Sequence, residues 1–313
     1  MDYKAPIPSK DYKVLIRCFT YNQEKYIEDA LKGFVRQKTN FPYCALVVDD
    51  CSTDRTAEII KKYEGEYPDI IKGIYLPVNM YGNPQKMEII KPWEDRAQYI
   101  AMCEGDDYWI DDYKLQRQVD FLDSHPEYML HFHNAIVRYQ NLELPDHLIS
   151  HFKTGDFTTS MLFEKWQLPF ASIMIRRSLM ETPFFIGFRK KHTGSFTFFI
   201  IASCLGKVFG LAECLSVYRK NNGGVSNGMS VSYCEQILYD FAKAANDKES
   251  IKYRKNATTT TLALYMPQLL MGDREAKDLY KVAYNIDKWI PVKAFFRMLY
   301  RMPINFLRNV IRH

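Results

Sequence analysis

Residues 98–109 read QYIAMCEGDDYW. The apolar run YIAMC passes without a break into Glu104, Asp106 and Asp107. Like charges so close together repel and raise one another's proton affinity, so the stretch reads as a buried strand ending in a specialised loop. A capped turn before the helix near Tyr113 would explain Asp111 and Asp112, but not the acidic cluster ahead of them. A hard divalent cation, Mg²⁺ or Mn²⁺, takes oxygen ligands and leaves positions open for phosphate oxygens. EGDDYW therefore reads as a loop that holds such a cation against a diphosphate.

Working outward, KVLIRCF (13–19) and YCALVVD (43–49) are short, β-branched apolar runs, and Ile27, Ala30, Leu31, Phe34 and Val35 between them repeat at helical spacing. The pattern predicts a strand, a helix and a parallel strand joined by a crossover. Ser52, with Asp54 beside it, is the expected N-cap of a second helix, followed by a strand near 71–76, a strand at 98–103 and a helix at 114–123. The first half is thus an alternating α/β layer, in which ligands bind beyond the carboxyl ends of the strands. The polar clusters TYNQE, DDCS and EGDD stand at those ends. Further on, 171–177 and 207–219 read as strands on either side of an apolar helix, and 221–224 as a turn. From about Ser230 the pattern is helical, with Pro267, Pro291 and Pro303 as expected breaks or kinks.

The 313 residues are 47% hydrophobic and 15% aromatic, enough for a packed core. Net charge is +5, but Lys288, Lys293, Arg297, Arg301, Arg308 and Arg312 close the chain without an acid. The rest is near neutral, so nucleic-acid binding is not implied. Seven cysteines without a CxxC pair argue for a reducing compartment and against zinc. With no apolar leader and no apolar run near ~18 residues, a cytoplasmic protein is expected.

VLIRCFTYNQEKYIEDAL (14–31), LVVDDCSTDRTAEII (46–60) and YIAMCEGDDYWIDDYKLQRQVDFL (99–122), in this order and spacing, resemble family 2 glycosyltransferases of the GT-A fold. The likeness is specific over residues 13–125 and looser over 165–228. It implies an α/β, Rossmann-like sheet, mixed but mostly parallel and flanked by helices, over residues 1–228. A nucleotide-sugar half would span 11–125 and an acceptor half 126–228. Residues 229–313 would be a helical C-terminal extension with a basic amphipathic tail.

The resemblance also implies roles. Thr20 and Tyr21 line the nucleotide pocket, and Glu24 is the acid at the start of the first helix. Asp49 pairs with the base, commonly uracil, and Asp50 supports the ribose. Glu104, Asp106 and Asp107 form the DxD-like motif, with Asp106 and Asp107 holding Mn²⁺ or Mg²⁺ and Glu104 at the first acidic position. Trp109 and Lys114 shape the loop. The implied activity is inverting transfer of a sugar from a nucleotide-diphosphate donor, most simply UDP-linked, to a glycan or lipid-linked acceptor in surface polysaccharide or lipopolysaccharide synthesis.

Two positions depart from the family pattern. An inverting transferase needs a general base, which contributes ~10²–10⁴-fold. The family has an Asp where HTGSFTFFIIAS places Ser195, and, where YRKN places Asn221 beside Arg219, a His that completes a metal shell or contacts diphosphate; the resemblance sets Arg219 and Asn221 on the acceptor and diphosphate side. A shifted alignment, a substitute such as His192, or an impaired chain would each account for this. The last option gives the rival reading, a GT-A-fold subunit that binds nucleotide or a partner in a glycan-assembly complex without turnover. Arg189, Lys190 and Lys191 are either a solvated face or contacts to an anionic acceptor. His131 and His133 share one face of a strand and read as hydrogen-bonded histidines near the acceptor. Asp156 reads as a helix cap and a reserve base. In the tail, Lys293, Arg297, Arg301, Arg308 and Arg312 fall on one helical face, suiting either peripheral contact with the inner face of the plasma membrane through 288–313 or a helix packed on the core.

Overall fold

The computed structural model describes residues 7–140, 143–158, 161, 169–183, 185–186, 195–221, 230–244, 246 and 248–301. The chain divides into two compact units, one within residues 1–158 and 167–222, the other within 159–166 and 223–313.

The first unit is built on a mixed sheet. Its strands are β1 (Tyr12–Thr20), β2 (Tyr43–Asp49), β3 (Ile71–Tyr75), β4 (Ala97–Met102), β5 (Tyr108–Trp109), β6 (Tyr128–Tyr139), β7 (His147–Leu148), β8 (Gly155–Phe157), β9 (Met174–Arg176) and β10 (Lys207–Lys220). Their order is β3-β2-β1-β4-β9-β6-β10-β5, with β7 beside β6 and β8 beside β10. The first four are parallel; β9 is antiparallel to β4 and β6, β6 and β10 run parallel, and β5 is antiparallel to β10. The mixed, mostly parallel sheet expected from the sequence is therefore present. Every residue of β2 is buried, as a parallel strand covered on both faces requires. The helices are α1 (Ile27–Val35), α2 (Thr56–Glu66), α3 (Gln85–Glu94), α4 (Lys114–Ser124) and α5 (Ser195–Leu205). Ile27, Ala30, Leu31 and Phe34 of α1 pack with Val14, Ile16, Val47 and Trp109 in one core. A Cβ on Gly33 would lie 3.1 Å from the Trp109 main-chain nitrogen, so glycine lets α1 press against β5.

The order fixes where a site can form. From β1 the chain runs outward through β2 and β3, then returns to β4 on the other side of β1. The reversal opens a crevice between the carboxyl ends of β1 and β4, the place where such sheets bind ligands.

The second unit is helical: α6 (Val231–Ala244), α7 (Lys248–Leu270), α8 (Arg274–Ile286) and α9 (Ile290–Arg301). Leu262, Met266, Leu279, Ala283, Ile290, Ala294 and Met298 form its core. Asp273 caps α8, its carboxylate accepting from the Ala276 amide at 2.8 Å. The buried Glu235 carboxylate accepts from Arg254, Thr258 and Thr261.

Two local expectations are corrected. Of the two expected caps of α2, Asp54 accepts from the Thr56 amide at 2.9 Å, whereas the Ser52 hydroxyl donates to Asp49 instead. Pro267 lies inside the last turns of α7 without ending it, and Pro291 follows the break between α8 and α9, in the first turn of α9, where a missing N–H costs nothing. Asp156 is a β8 residue that accepts from the Tyr128 hydroxyl, not a helix cap. Pro303 lies outside the described residues.

Candidate active site

The carboxyl ends of β1, β2 and β4 are tied together by their own side chains. At the end of β1 the Asp50 amide donates to the Thr20 carbonyl at 2.9 Å, and the Gly105 amide to that of Phe19 at 3.0 Å. Thr20 donates its hydroxyl to Gln23 at 2.7 Å. A Cβ on Gly105 would stand 2.8 Å from the Thr20 Cβ, so only glycine brings the acidic loop this close to β1. Asn22, in the left-handed region at φ 52°, receives the Thr53 amide and donates its own to Ser52, both at 2.8 Å. Glu24 accepts from the Arg55 amide at 3.1 Å, and its own amide donates to Asp54. Tyr21 stands exposed at the rim.

On β2, both oxygens of Asp49 accept from Ser52, the amide and the hydroxyl, which folds DDCS into a tight turn with Cys51 at φ 66°. Burial raises the Asp49 carboxyl, and these two bonds oppose the rise. Asp50 accepts from the Met80 amide at 2.6 Å and from the Lys86 ammonium at 2.8 Å. Lys86 also lies over the Phe19 ring, 4.9 Å from its centroid. The sequence reading missed Lys86; its signal was a lone cation following the Gly/Asn/Pro turn at 82–84.

The acidic loop stands above this floor. Water reaches Glu104 from one side, while protein crowds it from the others. That partial loss of hydration, then the charge of Asp106, raises its carboxyl to about 7 against the opposing pull of Arg17 and Lys86. Asp106 is raised by burial, opposed by hydrogen bonds from Asn221, at 3.1 Å, and Gln23 and by the Arg219 charge. Asp107 is buried and is raised well above the usual carboxylate range, first by burial and then by Asp106.

Arg219, near the end of β10, braces the loop from the other side. Its amide donates to Asp107 at 2.9 Å, its guanidinium to the Asp106 carbonyl at 3.0 Å and to Asp29 of α1, and it stacks on Tyr108 at 4.4 Å and Tyr26 at 5.3 Å. The guanidinium expected to face a diphosphate is thus engaged within the protein. Ser195 begins α5; His192, Arg189, Lys190 and Lys191 lie outside the described residues. His131 and His133 are buried, facing α4 rather than an open cleft. His131 meets the Gln118 amide at 3.1 Å, and His133 contacts the Asn134 carbonyl at 2.8 Å.

Among the described residues no three metal-ligating side chains converge on one point. The donor chemistry still suits a hard cation that takes one or two carboxylates and completes its shell with phosphate oxygens. Asp106 is the partly open carboxylate of the loop, with Asp107 directed at the Arg219 amide.

The family model of glycosyl transferase family 2 matches residues 18–188, more than half of the chain, and the protein belongs to that family. An uncharacterised protein of Mycobacterium tuberculosis, Rv1520, is 42% identical over 122 residues, 39% of this chain and 35% of that one. The Staphylococcus aureus poly(ribitol-phosphate) beta-N-acetylglucosaminyltransferase TarS is 35% identical over 109 residues, 34% of this chain and 18% of that protein. The chain thus matches about a third or less of the length of these relatives. In structure it resembles TarS residues 1–349 in complex with UDP-GlcNAc, at TM-score 0.63 and 17% identity, covering 91% of this chain and 89% of that one. That likeness shows the GT-A fold.

Proposed function

We propose that the protein is an inverting glycosyltransferase that moves a sugar from a nucleotide-diphosphate donor, UDP-linked, to a glycan or lipid-linked acceptor in bacterial surface polysaccharide or lipopolysaccharide synthesis. The observation that carries this reading is the joining of the ends of β1, β4 and β10 into one acidic floor, from Thr20 and Gln23 through Asp106 to Asn221. The TarS likeness, in a complex with UDP-GlcNAc, supports a UDP-sugar as donor.

In this reading Tyr21 and Asp49 receive the base, Asp50 with Lys86 fixes the ribose side, and Glu24 holds the loop that carries Tyr21. Mn²⁺ or Mg²⁺, held by Asp106 with Asp107 beside it, would neutralise charge on the departing diphosphate. Glu104, its carboxyl raised to about 7, would lose its proton as a cation arrives and then add to the field that holds it. Arg219 and Asn221 hold the loop at fixed height, so the carboxylates need no reorganisation when the donor enters. The acceptor side falls to residues at and before the start of α5, with 1–228 as the catalytic part and 229–313 as the extension.

The position of Ser195 favours a second reading, a nucleotide-binding subunit without turnover, because a serine hydroxyl is no base at neutral pH. Purified protein incubated with a panel of nucleotide sugars and Mn²⁺ separates the two. Release of UDP supports the enzyme, and binding without release supports the subunit. Under the second reading Ser195→Asp raises release; no change in that variant removes this position as the missing base.

The reading includes a cytoplasmic setting with contact at the inner membrane face through 288–313. Among the described residues no helix is long and apolar enough to cross a membrane. On α9 the basic stripe does not stay free, since Arg297 donates to Thr260 of α7 at 2.5 Å. Trp289, Val292, Lys293 and Phe296, at helical spacing, form the exposed stripe instead. Aromatic rings beside a lysine suit the headgroup layer.

A further inference from the structure

Behind the acidic loop lies a group of buried polar atoms that the proposed chemistry does not use. Lys114 opens α4, is wholly buried, and rests its ammonium 3.8 Å above the Trp109 ring with no hydrogen-bond acceptor. An ammonium carries three donors, and the ring satisfies one direction. Stripping the rest of its water costs several kcal/mol, on the order expected for a buried ion.

The neighbours have the opposite need. Gln118, one turn along α4, spends its amide nitrogen on His131 and on the carbonyls of His131 and Ser172, leaving its oxygen without a donor. His133 stays neutral through burial, and with its Nδ1 against the Asn134 carbonyl at 2.8 Å that nitrogen carries the proton. Its Nε2 is therefore a bare acceptor, and it too lacks a partner. The Ser216 hydroxyl is the fourth such group. Strand register places Ser216 opposite Trp109 on one side and Ala135 on the other, two residues from His133 on the same face of β6. Lys114 is near enough for its charge to act on both His131 and His133.

One cation with spare donors, two bare acceptors and a hydroxyl, gathered by α4 and by the register of β5, β6 and β10, are the partners that a buried water takes. An anion would meet the ammonium but also the lone pairs of Gln118 and His133, so water is the better occupant. Burial pushes Lys114 down to about 7 against an opposing pull from Cys103, and hydration opposes that fall further.

We propose that Lys114, Gln118, His133 and Ser216 enclose a buried water site, and that Lys114, hydrated there and seated on Trp109, is a positioning residue for the acidic loop. The link runs through Trp109, whose indole donates to the Ala171 carbonyl at 2.8 Å, and through Cys103, whose thiol donates to the Asp107 carbonyl at 3.6 Å and feels the Lys114 charge. Trp109 ends the segment that carries Asp106 and Asp107, so a shift of its ring moves both carboxylates.

Two experiments test this. A high-resolution crystal structure of the whole chain should show ordered water within hydrogen-bond distance of the Lys114 Nζ and of Gln118 or His133; a dry site overturns the proposal. Lys114→Met then removes the cation while filling its space. A positioning role predicts a melting temperature equal to or above wild type, since replacing a buried ion with an apolar side chain is often neutral or stabilising. It also predicts UDP affinity in Mn²⁺ reduced roughly tenfold or more, about 1.4 kcal/mol. Lys114→Arg should recover part of that affinity. Unchanged affinity in Lys114→Met overturns the positioning role, as does parallel loss of melting temperature and affinity without recovery in Lys114→Arg. The water site is judged by the crystal structure even if wild type binds no nucleotide, which would refute the glycosyltransferase reading instead.

Discussion

Replacing Arg219 by Met should loosen the acidic loop and destabilise the first unit together. The substitution leaves the amide bond to Asp107 in place and removes the guanidinium from the Asp106 carbonyl, from Asp29 and from the Tyr108 and Tyr26 rings. A charged hydrogen bond is worth about 1.5–3 kcal/mol. The Asp29 side chain is half exposed, so its ion pair adds about 0.5 kcal/mol. Stacking on Tyr108 adds about 1 kcal/mol. The sum, about 3–4.5 kcal/mol, is reduced by what the methionine recovers in packing, which leaves a loss of about 2–3 kcal/mol. For a unit of this size that lowers the melting temperature by roughly 4–12 °C. Because the Arg219 charge also opposes the rise in the Asp106 and Asp107 carboxyls, the variant should need higher pH for metal-dependent nucleotide binding. Thermal melts followed by near-ultraviolet circular dichroism, with UDP titrations at two pH values, read both effects. A melting temperature within about 1 °C of wild type and an unchanged pH dependence would refute the brace.

Three further outcomes are expected. Gly105→Ala drives a Cβ into Thr20 and should cost about 1–3 kcal/mol by overpacking, with weaker nucleotide binding, in chemical denaturation and calorimetry. His131 is held to about 3 by burial, so the unfolded chain takes its proton first; this contribution to stability is present above pH about 6.5 and lost as pH falls toward 3. Denaturation at several pH values should therefore show a shallower acid loss in His131→Gln than in wild type. Phe296→Ser and Trp289→Ser should each weaken binding to anionic vesicles in flotation roughly ten- to a hundredfold, from about 1.5–3 kcal/mol per buried ring; equal flotation of variants and wild type would remove the membrane contact.

The sheet was legible where strands are buried on both faces. KVLIRCF, YCALVVD and YIAMC are apolar because β1, β2 and β4 are covered on both sides, and α1 and α4 carry clear apolar stripes. Helix α3 was not, since QKMEIIKPWE mixes charges with Pro92 and buries only Ile90, Trp93 and Glu94. Lys86 was lost with it. The polar clusters at the strand ends were read correctly as neighbours, but their bonding only in part: of the two expected caps Asp54 alone serves α2, and Asp50 meets a lysine 36 residues away. Arg219 shows the limit most clearly. Its partner Asp29 is 190 residues distant, and only the pairing of β10 with β5 brings its stretch of chain against the loop.

The central claim is that EGDDYW holds a cation against a nucleotide diphosphate. Calorimetric titration of UDP into the whole chain, with and without Mn²⁺, for wild type and Asp106→Asn, tests it most directly. The account predicts binding in wild type that strengthens at least tenfold with Mn²⁺, and loss of that gain in Asp106→Asn, about 1.4 kcal/mol or more. Equal affinity with and without Mn²⁺, or a gain that survives in Asp106→Asn, would contradict it.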